Sequence, residues 1–226
     1  MTEEKRAKVY IIGVGPGSAE WLTAAAEAAI GKSDIILAWE WSLNPVKPLV
    51  TDKKVFFQDT KNYLQVEKDA AEAVKQSGQT VAVLRVGDPC VSSSLSQLLR
   101  VFDSCDIEII PSVGSVQFAA AAAKICIDES IVISFHDHRH NLRDEKLSFL
   151  YDAYQRQKNL IVLTDETQMP PQTAAYLIGR GLSKNTPVVI AEHLSLEDEM
   201  IFRITLGEVA DSSFRYDSIL VVMQPV

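Results

Sequence analysis

Val81-Ala82-Val83-Leu84-Arg85-Val86-Gly87-Asp88-Pro89-Cys90-Val91-Ser92-Ser93-Ser94 is the stretch whose reading decides the fold. Five residues with β-propensity and apolar bias, broken only by Arg85, run into Gly-Asp-Pro and a cluster of serines. A short apolar run bounded by turn residues reads as a buried strand that stops abruptly and feeds a helix. In open α/β sheets the ligand crevice lies at the carboxyl ends of such strands. Gly87 lets a ligand approach the backbone, Asp88 offers an acceptor and Pro89 stiffens the turn. The same residues also suit a plain turn.

Upstream, Val9 to Ile12 is a second apolar run, ending in Gly13-Val14-Gly15-Pro16-Gly17. A helix is expected over Trp21–Lys32, strands at Ile35–Ala38 and Val55–Phe57, a loop marked by Asn44-Pro45 and Lys47-Pro48, and a helix from Tyr63 to Gln76 that Gly78 stops. Downstream come a helix over Leu95–Phe102 and a strand over Ile107–Ile110. Strand and helix alternate, which argues a mostly parallel sheet. Pro111-Ser112-Val113-Gly114-Ser115 interrupts that rhythm, ahead of a small-residue helix over Ala119–Lys124. We place the domain junction there, giving residues 1–112 and 113–226. The second half repeats the alternation, with strands at 131–135, 160–163 and 187–191 and helices over 144–157 and from Pro170 to Gly179. Met200 to Leu206 alternates as a half-exposed antiparallel strand would, and Ser218–Met223 is the last strand. The expected architecture is two α/β domains with a ligand cleft between them.

With 226 residues and a formal charge of −8, the chain carries no basic stripe of the kind that neutralises nucleic-acid phosphates. Its three cysteines, Cys90, Cys105 and Cys126, have no metal-ligand spacing and read as reduced thiols of a cytoplasmic protein. No apolar run approaches a membrane span, and the charged start is unlike a signal peptide.

The glycine turn does not fit a dinucleotide fingerprint, because Ser18 occupies the third glycine position and Pro16 removes an N–H. His136, His138 and His140 alternate and would share one face of a strand as zinc ligands. Lying past an apolar strand and beside Arg139 and Arg143, they read better as a solvated or substrate-facing polar loop, and we expect no metal. His193, after Glu192, ends another strand. Glu197-Asp198-Glu199 reads as a solvated turn. No G-x-S-x-G, H-E-x-x-H or phosphate-loop motif is present.

Three of these stretches in order resemble the tetrapyrrole (corrin/porphyrin) methylases: Ile12–Gly17, Val83–Pro89, and Ile110-Pro111-Ser112-Val113-Gly114-Ser115-Val116-Gln117-Phe118-Ala119-Ala120. The resemblance spans the full length. It implies a class III methyltransferase of two α/β domains that binds S-adenosylmethionine. Within that family the chain is similar to the branch that methylates C5 of a (cobalt-)precorrin in cobalamin biosynthesis, in its stand-alone form. That likeness rests on Ser115-Val116-Gln117, Ser134-Phe135-His136, Leu163-Thr164-Asp165 and Ala191 to Glu199.

By resemblance, donor contacts fall on Pro16, Gly87, Asp88, Val91, Ser115, Val116, Thr164, Ala191 and Ser218. The tetrapyrrole is expected against Gly13, Gly15 and Gly17, with Arg85, His136 and Arg139 as further contacts, and Arg143 as a partner for its carboxylates. His136 and Glu192 are the candidate bases. A homodimer is the family expectation. Departures are Ser112 where glycine is usual, Cys90-Val91-Ser92-Ser93 after Pro89, and H-D-H-R-H where H-G-R is usual.

Overall fold

In the computed structural model the described residues are 6–91, 94–136 and 142–225. The chain divides into two compact units, Met1–Gly114 and Ser115–Val226.

The first unit is a five-stranded parallel sheet in the order β3-β2-β4-β1-β5. Its strands are β1 (Lys8–Gly13), β2 (Ile35–Trp39), β3 (Lys54–Gln58), β4 (Val81–Arg85) and β5 (Asp106–Ile110). Central β4 is buried throughout. Successive strand side chains point to opposite faces. Ala82 and Leu84 join Ile12, Ile36 and Ala38 in one core, while Val81 and Val83 join Val9, Ile11, Ile35 and Leu37 in the other. Helix α1 (Ala24–Gly31) closes the first core with Ala26, Ala29 and Ile30. Helices α3 (Tyr63–Ser77) and α4 (Leu95–Val101) close the second with Ala70, Ala71, Val74 and Leu98. Gly78, at φ +69°, ends α3 in the left-handed conformation that glycine permits.

Two local expectations are corrected. The first helix begins at Ala24, not Trp21. Thr23 caps it by accepting the Ala26 N–H at 3.1 Å, and a separate 3-10 turn, Ala19–Trp21, precedes it. The expected loop at Asn44–Pro48 follows a short helix, α2 (Glu40–Leu43), and is itself a 3-10 helix, Asn44–Leu49. Within α2 and the end of β2, Trp39 and Trp41 stack with ring centres 5.1 Å apart.

The second unit carries a mixed sheet in the order β6-β7-β10-β8-β9. Its strands are β6 (Ser130–Ser134), β7 (Asn159–Leu163), β8 (Pro187–Glu192), β9 (Met200–Thr205) and β10 (Ile219–Val222). β6 and β7 are parallel, whereas β10 runs antiparallel to both β7 and β8. Edge strand β9 pairs antiparallel with β8 and is half-exposed, as its alternation predicts. One face, with Leu160, Val162, Val188, Ile190, Leu220 and Val222, packs on α6 (Arg143–Gln155), α7 (Pro170–Gly179) and α8 (Leu206–Ala210). Helix α5 (Ser115–Ala123) packs against β7, β8 and β10. It starts at Ser115, four residues before the expected Ala119, directly after Gly114. No helix among the described residues is long and apolar enough to cross a membrane.

Candidate functional site

In the first unit, the carboxyl ends of the neighbouring strands β4, β1 and β5 gather the sequence-marked residues. The turn after β1 and the turn after β4 are zipped together: the Val14 N–H donates to the Arg85 carbonyl at 2.9 Å, and the Gly87 N–H to the Gly15 carbonyl at 2.8 Å. Gly15 and Gly87 adopt φ +80° and +67°, which disfavours any residue with a Cβ. Gly13 needs its missing side chain for another reason. A Cβ there would sit 2.5 Å from the Gly87 carbonyl oxygen and 2.7 Å from the Ser112 Cβ. The space at Gly13 is thus taken by the protein's own backbone.

Asp88 ties these loops together. One carboxylate oxygen accepts the Cys90 N–H at 2.7 Å and the other accepts the Ser112 N–H, after β5, at 2.9 Å. Burial and the neighbouring Asp88 carboxylate push the Cys90 thiol up, so it is a poor thiolate. The Val91 N–H caps the turn on the Asp88 carbonyl. Ser112 Oγ is buried with no hydrogen-bond partner, and among the described residues no other buried side-chain nitrogen or oxygen is left so. A buried hydroxyl without a partner costs about 1–3 kcal/mol. An orphan of this kind, beside glycine turns at strand ends, fits a ligand that brings polar atoms. Pro16 and Gly17, half-buried, complete the turn after β1.

Arg85, expected to meet substrate, is corrected by its surroundings. It is 6% exposed and its guanidinium donates to Glu67 Oε1 at 2.9 Å and to Gln58 Oε1 at 2.8 Å. Burial lowers its pKa, and the Glu67 charge opposes that shift. A guanidinium enclosed in this way is not presented to a ligand.

In the second unit, His136, Thr164 and Glu192 end or follow β6, β7 and β8, and Ser218 precedes the antiparallel β10. All four therefore lie at one end of the sheet. The His136 ring donates through Nε2 to the Thr164 carbonyl, which leaves Nδ1 as its basic nitrogen. The Thr164 and Ser218 side chains are turned inward. Thr164 Oγ1 donates towards the Ser218 carbonyl at 2.6 Å, and Ser218 Oγ lies 2.7 Å from Glu192 Oε1. Glu192 Oε1 also accepts the Arg215 N–H at 2.8 Å. Glu192 is buried, and the described bonds engage it as an anchor for the segment before β10, not as an exposed base. Ala191 is buried within β8, Val116 is buried on α5, and Ser115 is half-buried at the α5 start.

Arg143 is engaged with Thr167, in a turn that Asp165 organises by accepting the N–H groups of Thr167 and Gln168. Arg139, His138 and His140 lie outside the described residues. Among the described residues no three His, Cys, Asp or Glu side chains are grouped to hold a metal ion. Glu197–Glu199 is the exposed turn expected of it, and its carboxylates also brace the chain. Asp198 lies 2.5 Å from His193 Nδ1 and Glu199 accepts the Ser195 N–H at 2.7 Å, holding two residues at φ +49° and +66°. The His193 hydrogen bond holds the Asp198 carboxyl below its usual range.

Sequence reasoning missed Glu67. Its signal was present: Tyr63, Glu67, Ala70, Ala71 and Val74 recur at helical spacing, so one carboxylate sits on an otherwise apolar stripe.

The chain matches the family model of the Tetrapyrrole (Corrin/Porphyrin) Methylases over residues 8–210. It belongs to that family. It is accordingly an S-adenosylmethionine-dependent methyltransferase. A probable cobalt-precorrin-7 C(5)-methyltransferase of Methanocaldococcus jannaschii is 29% identical over 214 residues, covering 94% of this chain and 96% of that protein. A cobalt-precorrin-4 C(11)-methyltransferase of the same organism is 28% identical, covering 90% and 81%. The solved structure of a cobalamin biosynthetic enzyme, cobalt precorrin-4 methyltransferase, superposes with a TM-score of 0.76 at 24% identity, covering 96% of this chain and 95% of that one.

Proposed function

We propose that this tetrapyrrole methylase transfers a methyl group from S-adenosylmethionine to C5 of a (cobalt-)precorrin in cobalamin biosynthesis. The observation that carries the reading is the end-to-end match to the C(5)-methyltransferase relative, which covers nearly all of both chains. Cobalt, where present, belongs to the substrate.

Bound S-adenosylmethionine supplies an electrophilic methyl group on a sulfonium. The protein's task is to align carbon, methyl and sulfur and to keep water out, and such positioning supplies about 7–11 kcal/mol at most. In this reading the backbone of Gly87–Val91, Pro16 and the orphan Ser112 hydroxyl hold the donor in the first unit. Within the second unit, Ser115, Val116, the backbone of Thr164 and Ala191, and the segment at Ser218 are the positions that the resemblance marks for the donor. Asp88 acts by shaping its turn, since both its oxygens are committed to backbone N–H groups. His136, with Nδ1 available, is the side chain offered to accept a proton released from the methylated ring.

The C11 position is the competing reading, favoured by the second relative. Turnover of purified corrin intermediates with ¹³C-methyl-labelled donor decides between them. NMR of the product places the new methyl on C5 if the proposal holds, and on C11 if the alternative does. The accompanying expectation of a cytoplasmic homodimer is checked by light scattering and cell fractionation.

A further inference from the structure

Four side chains from four elements meet beneath the turn that follows β4. Arg85 is the last residue of β4, Gln58 the last of β3, Glu67 lies on α3 and Gln97 on α4. Glu67 is fully buried, and Arg85 and Gln58 nearly so. Glu67 Oε1 accepts from Arg85 Nη2 and from Gln58 Nε2, each at 2.9 Å. Glu67 Oε2 accepts from Gln97 Nε2 at 2.6 Å. One carboxylate thus grips the chain on both sides of the Gly87–Val91 turn: two residues before Gly87, and again in the first turn of the helix beyond it.

Stability alone is a weak reason for this arrangement. Replacing a buried ion pair by apolar groups of similar size is often neutral or stabilising, because desolvation cancels the attraction. What such a network does supply is fixed geometry, as each charge-assisted bond tolerates only a narrow range of distance and angle. The elements it joins are those flanking the donor turn. The shared carboxylate ties α4 to β4 through one hydrogen bond to each.

We propose that Glu67 is a positioning residue for methyl-donor binding, holding Arg85 and Gln97 so that the Gly87–Val91 turn is in its binding geometry before the donor arrives. This rests on the reading of that turn as a donor site. Preorganisation of this kind appears as affinity, since the ordering cost is met during folding.

The test is calorimetric titration of the full chain with S-adenosylhomocysteine, beside thermal melts. Gln97 is only half-buried, so Gln97→Met removes one bond while keeping length and helix propensity. We expect its melting temperature within a few degrees of wild type and its affinity for S-adenosylhomocysteine down about tenfold. The pair Glu67→Leu with Arg85→Met removes both charges. We expect it to fold, with affinity down by at least as much and the KM for S-adenosylmethionine raised more than kcat falls. Wild-type affinity in both folded variants overturns the proposal while leaving the donor site standing. A wild-type chain that gives no binding heat overturns the donor reading and this proposal with it.

Discussion

Gly13 and the carbonyl of Gly87 approach so closely that a methyl group on Gly13 would lie 2.5 Å from that oxygen. The contact is backbone against backbone, between turns already joined by the Gly87–Gly15 and Val14–Arg85 hydrogen bonds, so neither side can yield cheaply. Gly13→Ala is therefore expected to destabilise the chain by about 1–3 kcal/mol, the range for overpacking a close-packed site. Urea unfolding measures this directly. Donor affinity is expected to fall in the fraction that remains folded, because the turns must separate to admit the methyl group.

The same neighbourhood shows what could be read from residues alone. The apolar run Val81–Leu84, the stop at Gly78 and the alternation of Met200–Thr205 each encode a local rule, and each appears in the structure as a central strand, a left-handed cap and an edge strand. Arg85 shows where local rules run out. In sequence it is a lone charge at a strand end, the place where ligands bind. Its partner is 18 positions away on α3, and only the packing of that helix on the sheet brings the pair together. Asp88 is similar: its acceptor role was legible, but its partner Ser112 follows β5, which lies on the far side of β1 from β4 in the sheet. Pro45 and Pro48 signalled a break, yet proline is tolerated in short 3-10 turns, so the segment coils instead of extending.

Glu192 separates two roles that its position alone confuses. Its Oε1 already serves the Arg215 N–H and the Ser218 hydroxyl. Glu192→Gln keeps an amide oxygen for those donors, and we expect stability within about 1 kcal/mol and methyl transfer within severalfold of wild type. Glu192→Leu strands the Arg215 N–H and removes one acceptor of the Ser218 hydroxyl, at roughly 2 kcal/mol. A loss of about 10²–10⁴ in kcat for Glu192→Gln at unchanged stability restores Glu192 as the general base.

Asp165 gives the second unit a defined response to acid. Burial alone would raise its pKa, but the Thr167 hydroxyl, the N–H groups of Thr167 and Gln168 and the Arg143 charge outweigh that, and the net shift is downward. A carboxyl with a depressed folded pKa contributes stability that is complete above its unfolded value, about 3.9, and is lost as pH falls through the lower folded value. Wild type is therefore expected to lose more stability below about pH 4 than Asp165→Asn, which cannot titrate there. Urea midpoints at pH 7 and pH 3 for both proteins check it, and equal losses would remove Asp165 from the account.

Ser112 allows the donor site to be probed without touching a bond the folded protein makes. Its buried hydroxyl has no partner, so Ser112→Ala deletes an unmet polar group and is expected to leave the ligand-free protein equally stable or up to about 1 kcal/mol more stable. A hydroxyl that bonds the donor behaves in the opposite way on binding, because its loss withdraws an interaction made only in the complex. Affinity for S-adenosylhomocysteine is then expected to fall severalfold, by the 0.5–1.5 kcal/mol, roughly, of one neutral hydrogen bond. Melting curves with and without S-adenosylhomocysteine read both effects in one sample, since ligand-induced stabilisation follows affinity. Unchanged ligand-induced stabilisation would mean that Ser112 faces packing and not ligand. The glycine usual at this position would then be explained by the crowding at Gly13, where the Ser112 Cβ is one of the atoms already in closest approach.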